Sequence, residues 1–157
     1  MHKTKNDLPL KARKEISTIL NARLADAIDL QHQAKQAHWN VRGPNFIALH
    51  KLFDEVFEAT EEAVDLIAER IVQLGGTAEG SIQTVAKRSE LKAYPSAIST
   101  ECEHVEALAT ALASFGTRVR RAIDQAEELH DKGTADLFTE VSRSTDKYLW
   151  FLEAHLG

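Results

Sequence analysis

One cysteine, three prolines and seven glycines among 157 residues leave this chain poor in cross-links and in loop punctuation. The lone Cys102 excludes an internal disulfide, and its scarcity suits a reducing compartment, so a cytoplasmic protein is expected. Few Pro and Gly residues favour a small number of long helices over many short strands. No apolar run reaches the roughly 20 residues of a membrane span. The charged N-terminus lacks the apolar segment of a secretory signal, and none is expected. An excess of positive charge is also missing. A net charge of -5 argues against a body that grips nucleic acid. The charge is uneven, however: Lys3, Lys5, Lys11, Arg13 and Lys14 against Asp7 give residues 1–14 a net +4, which leaves -9 on the remainder.

What the chain does hold is an ordinary soluble composition, 43% hydrophobic and 27% charged, which rules out disorder and points to one domain. A short basic tail over 1–8 is expected ahead of a domain over 9–157. Pro9 suits a first helical turn, and Ile16, Ile19, Leu20, Leu24 and Ile28 then recur at helical spacing, up to a stop at Gly43-Pro44 near Arg42. A second helix is predicted from an Asn45 cap to Leu74, before Gly75-Gly76, with Phe46, Leu49, Phe53, Val56, Thr60, Val64, Ile67, Ile71 and Leu74 on its apolar stripe. Ser81 to Arg88 allows one short helix. A third long helix carries Ile98, Val105, Leu108, Leu112, Phe115, Val119 and Ile123 and is expected to end at Lys132-Gly133; a fourth starts near Thr134. No alternating strand pattern is present. The predicted fold is an all-α four-helix bundle with a short helix in the long connection between the second and third helices.

The chemistry concentrates on the second helix. At about 100° per residue, with His50 at zero, Asp54 falls near 40°, Asp65 near 60° and Glu69 near 100°. The apolar stripe centres near 270°, so these four residues face away from the chain's own core. Polar residues on an outer face are often merely solvated. Yet His50/Asp54 and Asp65/Glu69 are both i, i+4 pairs, able to share one metal ion. The pairs lie at least 11 residues apart, roughly 16 Å along the axis, so one chain cannot bring them to one centre. Two copies packed antiparallel across a two-fold axis between residues 59 and 60 bring them together, giving two equivalent sites per dimer. His38, near the end of the first helix, is a further candidate ligand.

A competing pattern is Glu-x-x-His, the ligand signature of di-iron bundles, present as Glu101/His104 and Glu127/His130. Both fall on the predicted third helix, 26 residues or about 39 Å apart, and cannot converge. Solvated faces are the expected reading for both.

His38-Trp39-Asn40, Arg42-Gly43 and the stretch HWNVRGPNFIALHKLFDE, with AERIVQLGG (Ala68 to Gly76) and SRSTDKYLWFLEA (Ser142 to Ala154), resemble the Dps family of bacterial mini-ferritins. The resemblance spans nearly the whole chain after the first dozen residues. It implies a hollow homododecamer that oxidises Fe(II), preferably with hydrogen peroxide rather than dioxygen, and stores ferric oxide. It implies ferroxidase ligands at His38, His50 and Asp54 of one subunit and Asp65 and Glu69 of its two-fold partner, with Lys35 and Trp39 beside them. Imidazole and carboxylate donors suit iron but also zinc and manganese. Asp136 matches the family's acidic three-fold pore, to whose field Asp124, Glu127, Glu128 and Asp131 are candidates to add. The alternative function is nucleoid binding through Lys3, Lys5 and Lys11 of the basic tail. The C-terminus, Ala154-His155-Leu156-Gly157, offers no basic extension, and -9 on each body opposes a phosphate backbone.

Overall fold

A computed structural model describes residues 1–157 as five helices and no strands. They are α1 (Leu10–Asn40), α2 (Phe46–Gln73), α3 (Ile82–Arg88), α4 (Glu101–Glu128) and α5 (Lys132–Glu153). Helix α1 pairs with α2 and α4 with α5; the two hairpins meet mainly through α1 against α4. Ile16, Leu20, Leu24, Leu30, Leu49, Phe53, Ile67, Ile71, Leu108, Phe115 and Phe138 are all essentially inaccessible at the centre of this core. No helix is long and apolar enough to cross a membrane.

Helix ends follow local chemistry. Gly75, in the left-handed region at φ 85°, closes α2. Its N–H bonds the Val72 carbonyl while that of Gly76 bonds Ile71, the paired bonds of a Schellman ending. Helix α4 opens on a capping box: the Thr100 hydroxyl accepts from the Glu103 N–H, and the Glu103 carboxylate accepts from the Thr100 N–H. The predicted boundary between the last two helices needs correction. Lys132-Gly133 does not stop α4; both residues belong to the first turn of α5. The chain turns instead at His130, whose φ of 58° ends the helical path, and Asp131 caps α5 by accepting from the Thr134 N–H at 3.0 Å. His130 therefore lies off the helix, which removes the second Glu-x-x-His pattern as a helical ligand pair.

Asp131 is itself 3% exposed and also accepts from Arg70 Nη2 at 2.8 Å, tying α5 to α2. Replacing it with Ala strands both a helix N-terminus and a half-buried guanidinium. Asp131→Ala is expected to cost about 2–3 kcal/mol in chemical denaturation, and Asp131→Asn, which keeps the cap, less than half of that.

Candidate metal centre

Residues 41–45 reverse the chain between α1 and α2 and set the last turn of α1 against the second turn of α2. Glu101, reaching over from α4, holds this turn. Its carboxylate accepts from the Asn45 N–H at 3.1 Å and from Asn45 Nδ2 at 2.8 Å. A Cβ at position 43 would collide with the same carboxylate, so only Gly43 fits there. Asn45 sits at the N-cap position as predicted, but its side chain serves this clamp and makes no capping bond.

The turn brings His38 and His50 into stacked contact, ring centroids 3.7 Å apart and planes 23° apart. The Nδ1 of His38 donates to the His50 carbonyl at 2.8 Å, and that of His50 donates to the His38 carbonyl at 3.0 Å. A carbonyl only accepts, so each Nδ1 carries the proton and each Nε2 keeps a free lone pair. This is the tautomer a metal-binding imidazole requires. Phe46 covers the outer side of His50 at 5.0 Å between centroids.

Asp54 lies on the same edge, its Oδ1 3.9 Å from His38 Nδ1 and hydrogen-bonded to the Lys35 ammonium. The Lys35 hydrogen bond holds the Asp54 carboxyl below its usual pKa, against a smaller opposing effect of burial. Lys35 is steadied by the face of Phe57, 4.5 Å from the ring centroid. Trp39, beside His38, is 67% exposed. Two imidazole nitrogens and one carboxylate suit Fe(II), as they suit other first-row divalent ions.

Within one subunit these residues are neighbours but not yet a closed site: no three His, Cys, Asp or Glu side chains converge as a metal-binding group, His38, His50 and Asp54 included, and Asp65 and Glu69 lie exposed further along α2. Asp136 is exposed near the start of α5, with Asp124, Glu127 and Glu128 exposed on the last turns of α4. Asp131 does not join them, because its carboxylate is buried on Arg70 and Thr134. The tail lysines Lys3 and Lys5 are exposed, but the tail itself is docked: the His2 N–H bonds the Gly75 carbonyl, and Arg13 reaches the carbonyls of Leu8 and Leu74. Lys11 is exposed on α1 beside Glu15.

The expectation that Glu101 and His104 are solvated does not hold. Glu101 clamps the α1–α2 turn, and His104 is 1% exposed with its Nδ1 on the Tyr94 hydroxyl. Neither partner lies on α4, Asn45 being 56 residues and Tyr94 ten residues away, and helical spacing carries no trace of them.

A family model described as a ferritin-like domain matches residues 17–157. The chain is 50% identical to the DNA protection during starvation protein of Agrobacterium fabrum, over 99% of this chain and 96% of the relative. Its fold superposes on Dps from Microbacterium arborescens in the high iron form with a TM-score of 0.88 at 32% identity, covering 98% of this chain and 97% of that one. For Mycobacterium smegmatis Dps the TM-score is 0.94 at 30% identity, with 99% and 94% covered.

Lys35 occupies the carboxylate that an incoming cation needs. Lys35→Met is therefore expected to bind Co(II) about two- to fivefold more tightly in anaerobic calorimetry, the scale of a partly exposed ion pair. Weaker binding would mean that Lys35 orders Asp54 for the metal instead of competing with it.

Proposed function

We propose that this chain, which belongs to the ferritin-like family and within it to the Dps proteins, oxidises Fe(II) at sites shared between two subunits and stores the ferric product inside a homododecameric cage. DNA in the cytoplasm is thereby protected from iron and peroxide. His38, His50 and Asp54 of one subunit and Asp65 and Glu69 of a second form each site.

The observation that carries this reading is a symmetry on the outer face of α2. The pairs His50/Glu69 and Asp54/Asp65 are both centred between Ala59 and Thr60. Ile47 and Val72, 61% and 57% exposed, lie on the same stripe and are centred on the same point. An antiparallel second copy across that axis sets Ile47 against Val72 at each end, burying the two most exposed apolar side chains of the helix, and completes each ligand set in the same step.

Iron is the substrate here. Three carboxylates set -3 against the +4 of two ferrous ions, so the site attracts iron without neutralising it. Two Fe(II) ions and one hydrogen peroxide, with two protons, give two Fe(III) and two waters; no hydroxyl radical is released. Dioxygen would take the same two electrons and leave hydrogen peroxide, whereas peroxide is carried through to water, so peroxide is the preferred oxidant. Asp136, with Asp124, Glu127 and Glu128 nearby, supplies a negative field for cation entry at a three-fold pore. The chain divides functionally into the tail, 1–8, and the cage-forming domain, 9–157.

The docked tail weighs against DNA compaction through Lys3, Lys5 and Lys11. Docking leaves the three lysines exposed but holds them close to a body of net negative charge, which repels a phosphate backbone, instead of letting them extend away from it.

His50→Ala and Asp54→Ala are expected to slow peroxide-driven iron oxidation at least about tenfold in stopped-flow absorbance, with the particle intact by light scattering. Particles mixed from His50→Ala/Asp54→Ala and Asp65→Ala/Glu69→Ala subunits should partly recover, since each heterodimer contains one complete site. No recovery, with heterodimers proven by mass spectrometry, counts against a shared site.

For DNA, little gel retardation is expected at about 0.15 M salt, together with full protection against iron-plus-peroxide cleavage. Deleting residues 1–8 should leave that protection intact, whereas Asp65→Ala/Glu69→Ala should abolish most of it. Tight binding that disappears with the tail, and protection disappearing alongside it, would reverse the assignment.

A further inference from the structure

The Tyr94–His104 pair has no place in the iron site, and it joins two titratable groups directly at the end of the helix that carries His38. Tyr94 lies in the connection between α3 and α4, half-buried, and its Oη donates to His104 Nδ1 at 2.6 Å. The two rings are within 19° of parallel. Burial pushes the imidazole pKa down and the phenol pKa up, so both are neutral and the phenolic proton has one waiting acceptor. The other ring nitrogen, Nε2, is buried and lacks a formed hydrogen bond. The nearby Asn40 carbonyl is the acceptor that pulls the imidazole pKa partly back up. Asn40 is the last residue of α1, two residues beyond His38. The negative end of the α1 dipole and the neighbouring Glu103 carboxylate both favour a positive charge on His104. A phenol bonded to a neutral base that is set to become cationic is the arrangement needed for coupled loss of an electron and a proton.

We propose that Tyr94 and His104 form a one-electron relay that completes peroxide reduction when only one Fe(II) occupies the neighbouring site. The inference rests on the proposed iron oxidation. A lone Fe(II) delivers one electron to hydrogen peroxide, giving Fe(III), hydroxide and an oxidant equivalent to hydroxyl radical. Tyr94 supplies the second electron, reducing that oxidant to hydroxide. Its phenolic proton moves to His104 Nδ1, leaving a neutral tyrosyl radical and an imidazolium. A second Fe(II) later returns the electron to Tyr94, and the proton returns from His104. The net reaction is again two Fe(II) per peroxide, but the two ions need not arrive together.

The test is freeze-quench electron paramagnetic resonance on the whole anaerobic protein, loaded with one Fe(II) per site and mixed with hydrogen peroxide. The parental protein should show a tyrosyl signal that decays when a second Fe(II) is added. The chain has only two tyrosines, so Tyr148→Phe should keep the signal and Tyr94→Phe should lose it, with hydroxyl radical spin adducts rising in its place. His104→Gln, which hydrogen-bonds but does not take the proton, should slow formation of the signal and abolish its solvent deuterium effect. A signal unchanged in Tyr94→Phe, or one that follows Tyr148 or Trp39 instead, overturns the relay while iron oxidation stands. Parental protein that oxidises no Fe(II) overturns the proposed function and the relay with it. Should Tyr94→Phe fail to assemble, the Tyr148→Phe and His104→Gln arms decide alone.

Discussion

Two reciprocal hydrogen bonds, from each of His38 and His50 to the other's backbone carbonyl, are the contact on which the candidate centre depends. They choose the tautomer, stack the rings and leave both Nε2 atoms as donors. They also fill an acceptor that α1 leaves open at its C-terminal end, where the last carbonyls of any helix lack partners. The contact exists only because the chain reverses sharply at 41–45, and that reversal is held by Glu101 from α4. Helix α4 is in turn started by the Thr100 capping box, one residue earlier. A local helix-start signal thus places a distant carboxylate, which fixes a turn, which presents two imidazoles.

The helices were legible because their cause is periodic. The stripe from Leu49 to Ile71 repeats at helical spacing, and Gly75-Gly76 marks its end through backbone freedom that other residues lack. The same reasoning misplaced the start of α5, because Gly133 resembles a terminator while the real determinant is the Asp131 side chain. That carboxylate binds a backbone N–H, a hydroxyl and the Arg70 guanidinium together, and only the last of these is remote in sequence. That His50, Asp54, Asp65 and Glu69 lie off the buried stripe of α2 was legible for a related reason: spacing along one helix is a sequence property. The roles of Glu101, His104 and Lys35 were harder to read, since each is defined by a partner on another element. Lys35 entered only by family resemblance, and its ion pair with Asp54 is a fact of packing between α1 and α2.

Acids elsewhere in the fold are treated differently from those of α2. Asp26 is fully inaccessible, yet Arg23 pairs with it at 3.0 Å and the Glu90 N–H donates at 2.8 Å. Burial raises its pKa more than these partners lower it. The cluster costs desolvation and gains position: with Arg118 bonded to the Glu90 carbonyl, it fastens the long connection to α1 and α4. Its charges are matched inside the subunit. Asp65 and Glu69 are not matched in this way; they stand in solvent on a helix face that also exposes apolar Ile47 and Val72. Two opposite kinds of side chain on one exposed stripe make a poor solvent face and a good shared one.

That contrast bears on turnover. A centre that must pass iron onward cannot hold it as a structural site does, by closing four strong ligands around it in a dry interior. Here the carboxylates are water-accessible, the proposed ligand set is split between chains, and Lys35 is paired with Asp54 as an internal cation. With no cation bound, the ammonium is paired with the carboxylate, so little unpaired charge is left there. Iron bound at the proposed shared site would link two copies, and by linkage whatever free energy it added to their pairing would be the same that pairing adds to its binding. Weak, reversible capture of Fe(II) and durable assembly are therefore compatible only if pairing has support of its own. In the proposed pairing, Ile47 against Val72 would supply it at both ends of the stripe, outside the ligands and unchanged from one turnover to the next.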